Sequence, residues 1–451
     1  MSTEAGSSSN RDDLRSSFRR GFAATFVLDM VSRLLGVVTL VVLIRGLSVS
    51  GYADYTLFLA ISAFASNAAG GGVRMRHLRM TAERESRGAG TSWPSFSSAL
   101  ATTTALLVAV SVVGVGVDEL AHAAGSTLGR DVFIYACLYA IGLAATDLAI
   151  AHYQALRRFL LAGSFNVLRA AMLLATAGVI VGAELGSSEK LLLVFAIGSL
   201  AIGAVACLPM VRSELVARGK LTAGLRLDSE ARWLTLYYIA IAGFAYVDVL
   251  VAGALLDDKE IATLGASLRY IAVVLGMFPA INSILKVRSS QIDVVDSLEN
   301  QRELMLAWIR RSALPAAIGF AVFVVAAPFV IPLVDGGRYP GSILAFQIYL
   351  TAAVGVYVTA PASNLLMAQL RSAWLTMAVA VALLANLLGD IAVARPLGVA
   401  GIAAVSSAIY LTLEIALVIA ALRGPVRLPD GRMAEATPGA PARSRSRFEG
   451  E

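Results

Sequence analysis

Asp29 and Arg33 stand four residues apart in FVLDMVSRLLGVVTLVVLI (26–44), a run that is otherwise apolar. On a helix that spacing puts both on one face, within reach of an ion pair. At 1.5 Å per residue from Gly21 they lie about 12 and 18 Å deep, so Arg33 falls near the middle of a bilayer. A charge there costs about 2.5–3.5 kcal/mol on insertion scales and is a functional candidate by default. Asp147, Arg169, Asp248, Arg269 and Asp390 sit in comparable apolar settings, and His152 and Glu414 lie nearer the ends of theirs. Two chemistries fit these residue types. Carboxylates at depth pair with cations, tie helices together, or take up a proton or Na⁺. An arginine fork holds oxyanions bidentately, and a low dielectric strengthens the grip.

The elements that carry these residues are membrane spans. Of 451 residues, 57% are hydrophobic and 15% charged, against about 25% charged in soluble domains. Mean hydropathy is +0.74. A helix needs roughly 20 apolar residues to cross the hydrocarbon core. That ruler yields twelve segments: 21–44, 52–73, 94–116, 132–154, 159–183, 190–211, 233–255, 261–285, 312–334, 341–368, 373–394 and 398–422. The predicted fold is an all-α polytopic membrane protein. No cleavable leader is evident, because the first twenty residues are polar and no short apolar region with a small-residue cleavage site follows.

The basic residues orient the spans. With a cytoplasmic N-terminus, 28 of the 37 Lys and Arg fall in inner connections and tails and 6 in outer loops; Arg33, Arg169 and Arg269 remain inside spans. The positive-inside rule then predicts both termini in the cytoplasm, for a multi-pass protein of the cell (plasma) inner membrane. The net charge of +6 is explained by this asymmetry and calls for no nucleic acid.

The long inner connection at 212–232 divides the twelve spans into lobes at 21–211 and 233–422. Residues 1–20 and 423–451 read as disordered basic tails. LVVLIRGLSVSGYADYTLFLAI (40–61) and VLVAGALLDDKEIATLGASLRYIAV (249–273) share one plan: an apolar span, a polar outer turn, a small-residue step and a new span. Two lobes of six enter the membrane in the same sense. They are expected to relate by a pseudo-two-fold along the membrane normal, with a central cavity between them. AAGGG (68–72), GVIVG (178–182) and Pro279, Pro315, Pro332 and Pro361 allow close packing or bending. Cys137 and Cys207 lie in apolar runs and read as small hydrophobes. A phosphate-cradling Gly-Lys-Ser/Thr, a His cluster and Cys-x-x-Cys are absent from the sequence, and no outer loop is long enough for an enzyme's catalytic loop.

Five stretches, in order, resemble the polysaccharide (lipid-linked oligosaccharide, Wzx-type) flippases of the multidrug/oligosaccharidyl-lipid/polysaccharide exporter superfamily. They are LIRGLSVSGYADYTLFLAISAFASNAAGGGV (43–73), YVDVLVAGALLDDKEIATLGASLRYIAVV (246–274), FPAINSILKVRSSQ (278–291), PFVIPLVDGGRYPGSILAFQIYL (328–350) and NLLGDIAVARPLGVAGIAAVSSAIY (386–410). The resemblance implies a non-enzymatic carrier that moves a polyprenyl-diphosphate-linked oligosaccharide to the outer leaflet by alternating access. Such a carrier serves cell-surface polysaccharide export among membrane lipids and polysaccharide biosynthesis enzymes. It implies no cofactor beyond a coupling proton or Na⁺. The alternative within the superfamily is a proton- or sodium-coupled exporter of small, drug-type molecules.

The resemblance also places Arg33 and Arg269 across a central cavity, where their guanidiniums suit a diphosphate. Arg45 joins them on the strength of the matching turn, and Arg169 as a further candidate. Asp29 and Asp248 are expected to steady Arg33 and its neighbours in the empty cleft, or to couple an ion. Asp147, Asp390 and Glu414 read instead as structural pairs. Trp233, Tyr237, Tyr238, Tyr246 and Tyr270 supply aromatic faces for sugar rings, Trp233 serving equally well as an interface marker.

Overall fold

A computed structural model describes residues 27–87, 95–123, 129–183, 187–218, 229–276, 297–368 and 371–423. These residues form helices joined by short turns: α1 (Val27–Gly46), α2 (Val49–Arg87), α3 (Phe96–Ala123), α4 (Arg130–Ala155), α5 (Phe159–Gly182), α6 (Ser188–Arg218), α7 (Ser229–Leu255), α8 (Asp258–Leu275), α9 (Ser297–Asp335), α10 (Gly341–Thr359), α11 (Pro361–Ala368) and α12 (Ser372–Arg423). Ten helices are long and apolar enough to cross a membrane. The chain is a multi-pass membrane protein. One of the ten, α12, is two crossings joined at Gly398, whose φ of 56° breaks the helical path just after Pro396. The eighteen residues of α8 fall outside the ten because Asp258, Lys259, Glu260 and Arg269 lower their hydropathy. With α8 and the split of α12, the described residues make twelve crossings, in the predicted order.

The helices overrun several predicted loops. The basic stretch after position 73 stays helical to Arg87, and α9 begins at Ser297, well before the apolar segment it feeds. The segment expected at 341–368 is interrupted at Ala360, and Pro361 opens the short α11. Proline is tolerated at a first helical position because its missing N–H would have no partner there. Pro315 and Pro332 lie inside α9. Pro279, the amphipathic connection from 286 to 296 and both tails lie outside the described residues.

Packing repeats between the lobes. In the first, α2 packs on α4, α4 on α6, and α5 on α1, where Gly163 faces Leu28. In the second, α8 packs on α10, α10 on the later half of α12, and the earlier half of α12 on α7, where Gly243 faces Leu383. The lobes meet where α2 runs along α7 and where α1 approaches α8. A two-fold axis exchanges those two seams. Gly72 sets the α2–α7 distance: a Cβ there would stand 2.7 Å from the Thr235 Cα, so only hydrogen fits. Gly71 and Gly72 thus serve close packing between lobes, one of the two uses their sequence allowed.

The end of the seam away from most of the basic residues is clasped. Arg45, near the end of α1, donates through Nε to the Val334 carbonyl at 2.9 Å and through Nη2 to the Leu333 carbonyl at the end of α9. Arg338, just past α9, donates through Nη1 to the Ile44, Arg45 and Leu47 carbonyls at 2.9–3.1 Å. Each lobe thereby caps the other's orphan helix-end carbonyls, where a cation also meets the negative end of the macrodipole. Beneath the clasp the buried rings of Tyr52 and Tyr339 pack with centroids 5.6 Å apart.

Candidate functional site

Asp29 and Arg33 form the pair their spacing predicts, at 2.8 Å, with each side chain about 30% exposed. Arg33 reaches across the seam to the end of α8: a Cβ on Gly276 would lie 2.8 Å from its Nη1. A glycine there lets the guanidinium close on the α8 C-terminus, where a positive charge is favoured. This part of the α1–α8 seam therefore carries a cation at membrane depth.

Arg269, two turns earlier on α8, is half-buried and makes no hydrogen bond or ion pair among the described residues. Its charge reaches Tyr52 and Tyr55 of α2, Tyr139 of α4 and Tyr246 of α7. Tyr139 is also within reach of Arg169 and Asp147, and Tyr246 within reach of Asp147. Arg169 in the first lobe and Arg269 in the second are both within electrostatic reach of Tyr139.

Asp147 forms the structural ion pairs expected of it, with two arginines. Its Oδ2 accepts from Arg74 Nη1 at 2.7 Å and its Oδ1 from Arg169 Nη1 at 3.3 Å, joining α2, α4 and α5. Asn166 adds a contact to Arg169 at 3.4 Å. Arg74 is the member that sequence reasoning missed, because it was assigned to a loop. The uninterrupted α2 keeps it at the edge of the span, and Asp147 draws it inward. One carboxylate between two guanidiniums leaves the cluster positive, a state suited to an anion.

Two expected members stand elsewhere. Arg45 is committed to the clasp, on backbone carbonyls rather than beside the other arginines. Asp248 touches no arginine, so its expected role of steadying them gives way to another. Buried on α7, it accepts from Asn386 Nδ2 at 2.7 Å through Oδ1, and from Tyr349 Oη at 2.6 Å and Ser406 Oγ at 2.7 Å through Oδ2. Asp390 lies within electrostatic reach of it. Asp390 is fully buried, and neither of its oxygens finds a donor; the Asn386 Oδ1 is likewise unpartnered. Three buried acceptors without donors are costly unless a proton or metal cation sits among them.

Two recesses flank these groups. One of about 520 Å³ lies between α2, α7 and the earlier half of α12, lined by Phe64, Val247, Leu250 and Leu383 among others. The other, about 210 Å³, lies among α8, α9 and α10. Both are apolar and neither carries an arginine, so neither is the arginine-lined gap that the sequence led us to expect. Among the aromatic candidates, Tyr246 stands beside Arg269, Tyr238 packs against Gly71, and Tyr270 donates to Asp335 at 3.4 Å. Trp233 is partly exposed at the start of α7.

No family model matches the sequence, and no curated protein matches it. Solved structures do. The lipid II flippase MurJ in an inward closed conformation aligns with a TM-score of 0.59 at 12% identity, over 88% of this chain and 87% of that one. A MATE structure in the bent conformation aligns at 0.56 and 15% identity, over 90% of this chain and 94% of that one. A MOP superfamily transporter from Pyrococcus furiosus, described by the reversed polarity of its binding pocket, aligns at 0.55 and 16% identity, over 89% and 95%. At such identities the likeness is one of fold, and the chain has the twelve-helix, two-lobed fold of these transporters.

Proposed function

We propose that this protein is a flippase for a polyprenyl-diphosphate-linked oligosaccharide, carrying it from the cytoplasmic to the outer leaflet of the cell membrane by rocking its two lobes. The observation that supports the reading is an excess of guanidinium at depth: Arg74 and Arg169 share one carboxylate in the first lobe, and Arg269 of the second makes no ion pair among the described residues. A diphosphate brings several oxyanions into one small volume, and guanidiniums from both lobes replace its hydration halfway across. The lipid tail stays in the bilayer, so the protein needs to enclose only the head. The fold shared with MurJ, a lipid II flippase, supports a lipid-linked substrate; the fold shared with MATE transporters supports the drug-exporter alternative equally, and the cationic cluster favours the former.

Coupling belongs to the second lobe. Asp248 and Asp390, with Asn386, Tyr349 and Ser406, form a buried acceptor cage for one proton or Na⁺. Loading that cage changes the charge of the lobe that also carries Arg269.

The deciding experiment reconstitutes the full chain in proteoliposomes with a fluorescent prenyl-diphosphate disaccharide and follows its appearance in the far leaflet with an impermeant quencher. Wild type should translocate it, and Arg269→Ala should be at least about tenfold slower, as for loss of a charge-assisted contact. Undiminished transport by Arg269→Ala, or transport of a cationic dye in place of the lipid, would transfer the case to the drug-exporter reading.

A further inference from the structure

Glu414 lies on the later half of α12, at a depth where a carboxylate needs a reason to be. It is half-buried, accepts a hydrogen bond from Thr359 Oγ1 of α10 at 2.5 Å, and has no basic partner among the described residues. The other ionisable side chain facing it from a neighbouring helix is Tyr237 of α7. Between Pro361 and Ala368, α11 offers no ionisable residue. Arg371 is the cation on that side, and its guanidinium is engaged by the Ala420 carbonyl at 2.7 Å and the Trp374 ring.

Ser406, Tyr410 and Glu414 follow one another at four-residue intervals, so they form a stripe along one face of α12, stepping about 6 Å along its axis each time. The top of the stripe is bonded to the buried acids: Ser406 Oγ donates to Asp248 at 2.7 Å. The middle is Tyr410, whose ring is held against Phe244 with centroids 4.1 Å apart and which lies within electrostatic reach of both Asp248 and Glu414. The bottom faces the end of the helix that carries Arg423. Tyr410, a residue that gives and takes protons, thus lies on the stripe between a carboxyl group near one membrane face and Asp248 of the buried pair.

We infer that Glu414 is a proton-binding site that loads the Asp248–Asp390 pair from the basic side of the membrane, with Tyr410 as the relay. The inference rests on the coupling role proposed above for that pair, and goes further by naming the ion and its route. In the loading step a proton from water forms the O–H bond of the Glu414 carboxyl. That bond then breaks as the proton passes to the Tyr410 oxygen, while the Tyr410 hydroxyl proton leaves toward the carboxyl pair and forms an O–H bond on a carboxylate oxygen of that pair. Charge and atoms balance: one proton enters, one carboxylate of the pair is neutralised, and Tyr410 and Glu414 return to their starting states. The Thr359 hydroxyl keeps Glu414 oriented between proton transfers.

The test uses the full chain in proteoliposomes, with protons alone as the probe. Infrared difference spectra between acidic and alkaline buffer read carboxylic-acid C=O bands, and a trapped pH dye reads proton uptake after a pH jump. Wild type should show separate bands for Glu414 and for the pair. Glu414→Gln should remove the first and slow loading of the second by about a hundredfold, the low end of what a positioned proton donor supplies. Tyr410→Phe keeps the ring on Phe244 and should slow loading similarly while leaving the Glu414 band in place. Size exclusion and thermal melting check that both near-isosteric variants fold. If both load at the wild-type rate while Asp390→Asn removes the second band, the route is overturned and the coupling site stands. If Asp390→Asn leaves every band unchanged, the coupling reading fails and the route, left without a terminus, fails with it.

Discussion

Arginine against lysine decides much at the residue scale. Arg269 presents a planar fork with no ion pair among the described residues, so Arg269→Lys should rescue little: it keeps the charge and loses the two parallel donors a phosphate uses. Transport by the lysine variant is expected within a few-fold of Arg269→Ala, measured in the proteoliposome assay above. Arg74 and Arg169 share Asp147, which makes their energies non-additive. A double-mutant cycle of Arg74→Ala and Asp147→Ala, read by thermal unfolding in detergent, should give a coupling of about 1 kcal/mol, because both side chains remain partly exposed and solvent screens the pair. A coupling near zero would reduce this contact to a packing neighbour.

Among the elements, the seam between α2 and α7 and the clasp between α1 and α9 do opposite work. The seam is built for contact, with Gly72 against Thr235. Gly72→Leu should push the lobes apart and lower the melting temperature, at a cost of about 1–3 kcal/mol typical of overpacking. The clasp is built to be undone. Its hydrogen bonds are exposed or only part-buried, each end is one arginine, and carbonyls left behind at an opened helix end can turn to water. Arg338→Ala should therefore favour a form opened at that end with little loss of folded protein. A cysteine placed at Leu47, which is buried at the clasp, should then react about tenfold faster with an impermeant maleimide, equivalent to roughly 1.4 kcal/mol of population shift.

At the scale of the whole molecule, the buried charges divide between the lobes. The first lobe holds the positive cluster of Arg74, Arg169 and Asp147, the second holds the carboxyl pair, and Arg269 on α8 belongs to the second while facing the first. An ion that enters the second lobe and alters the set of α8 would change the grip on an anion held from both sides. Asp390→Asn should accordingly uncouple transport: downhill exchange of the lipid survives, while the dependence on an imposed proton or Na⁺ gradient disappears. Survival of gradient dependence in that variant would separate the pair from coupling.

Apolar run length and the placement of basic residues were enough to determine the class, the twelve crossings and their order, because a bilayer imposes length and charge rules that act locally on the chain. The Asp29–Arg33 pair was equally legible, since both partners lie on one helix with fixed spacing. Contacts between helices were not. That Asp147 joins Arg74 to Arg169, that Asp248 meets Asn386, Ser406 and Asp390 instead of an arginine, and that Arg45 clasps α9 depend on which helix faces which. That choice is made by close packing at a few small residues such as Gly72, and a one-dimensional pattern of apolar spans carries almost no trace of it.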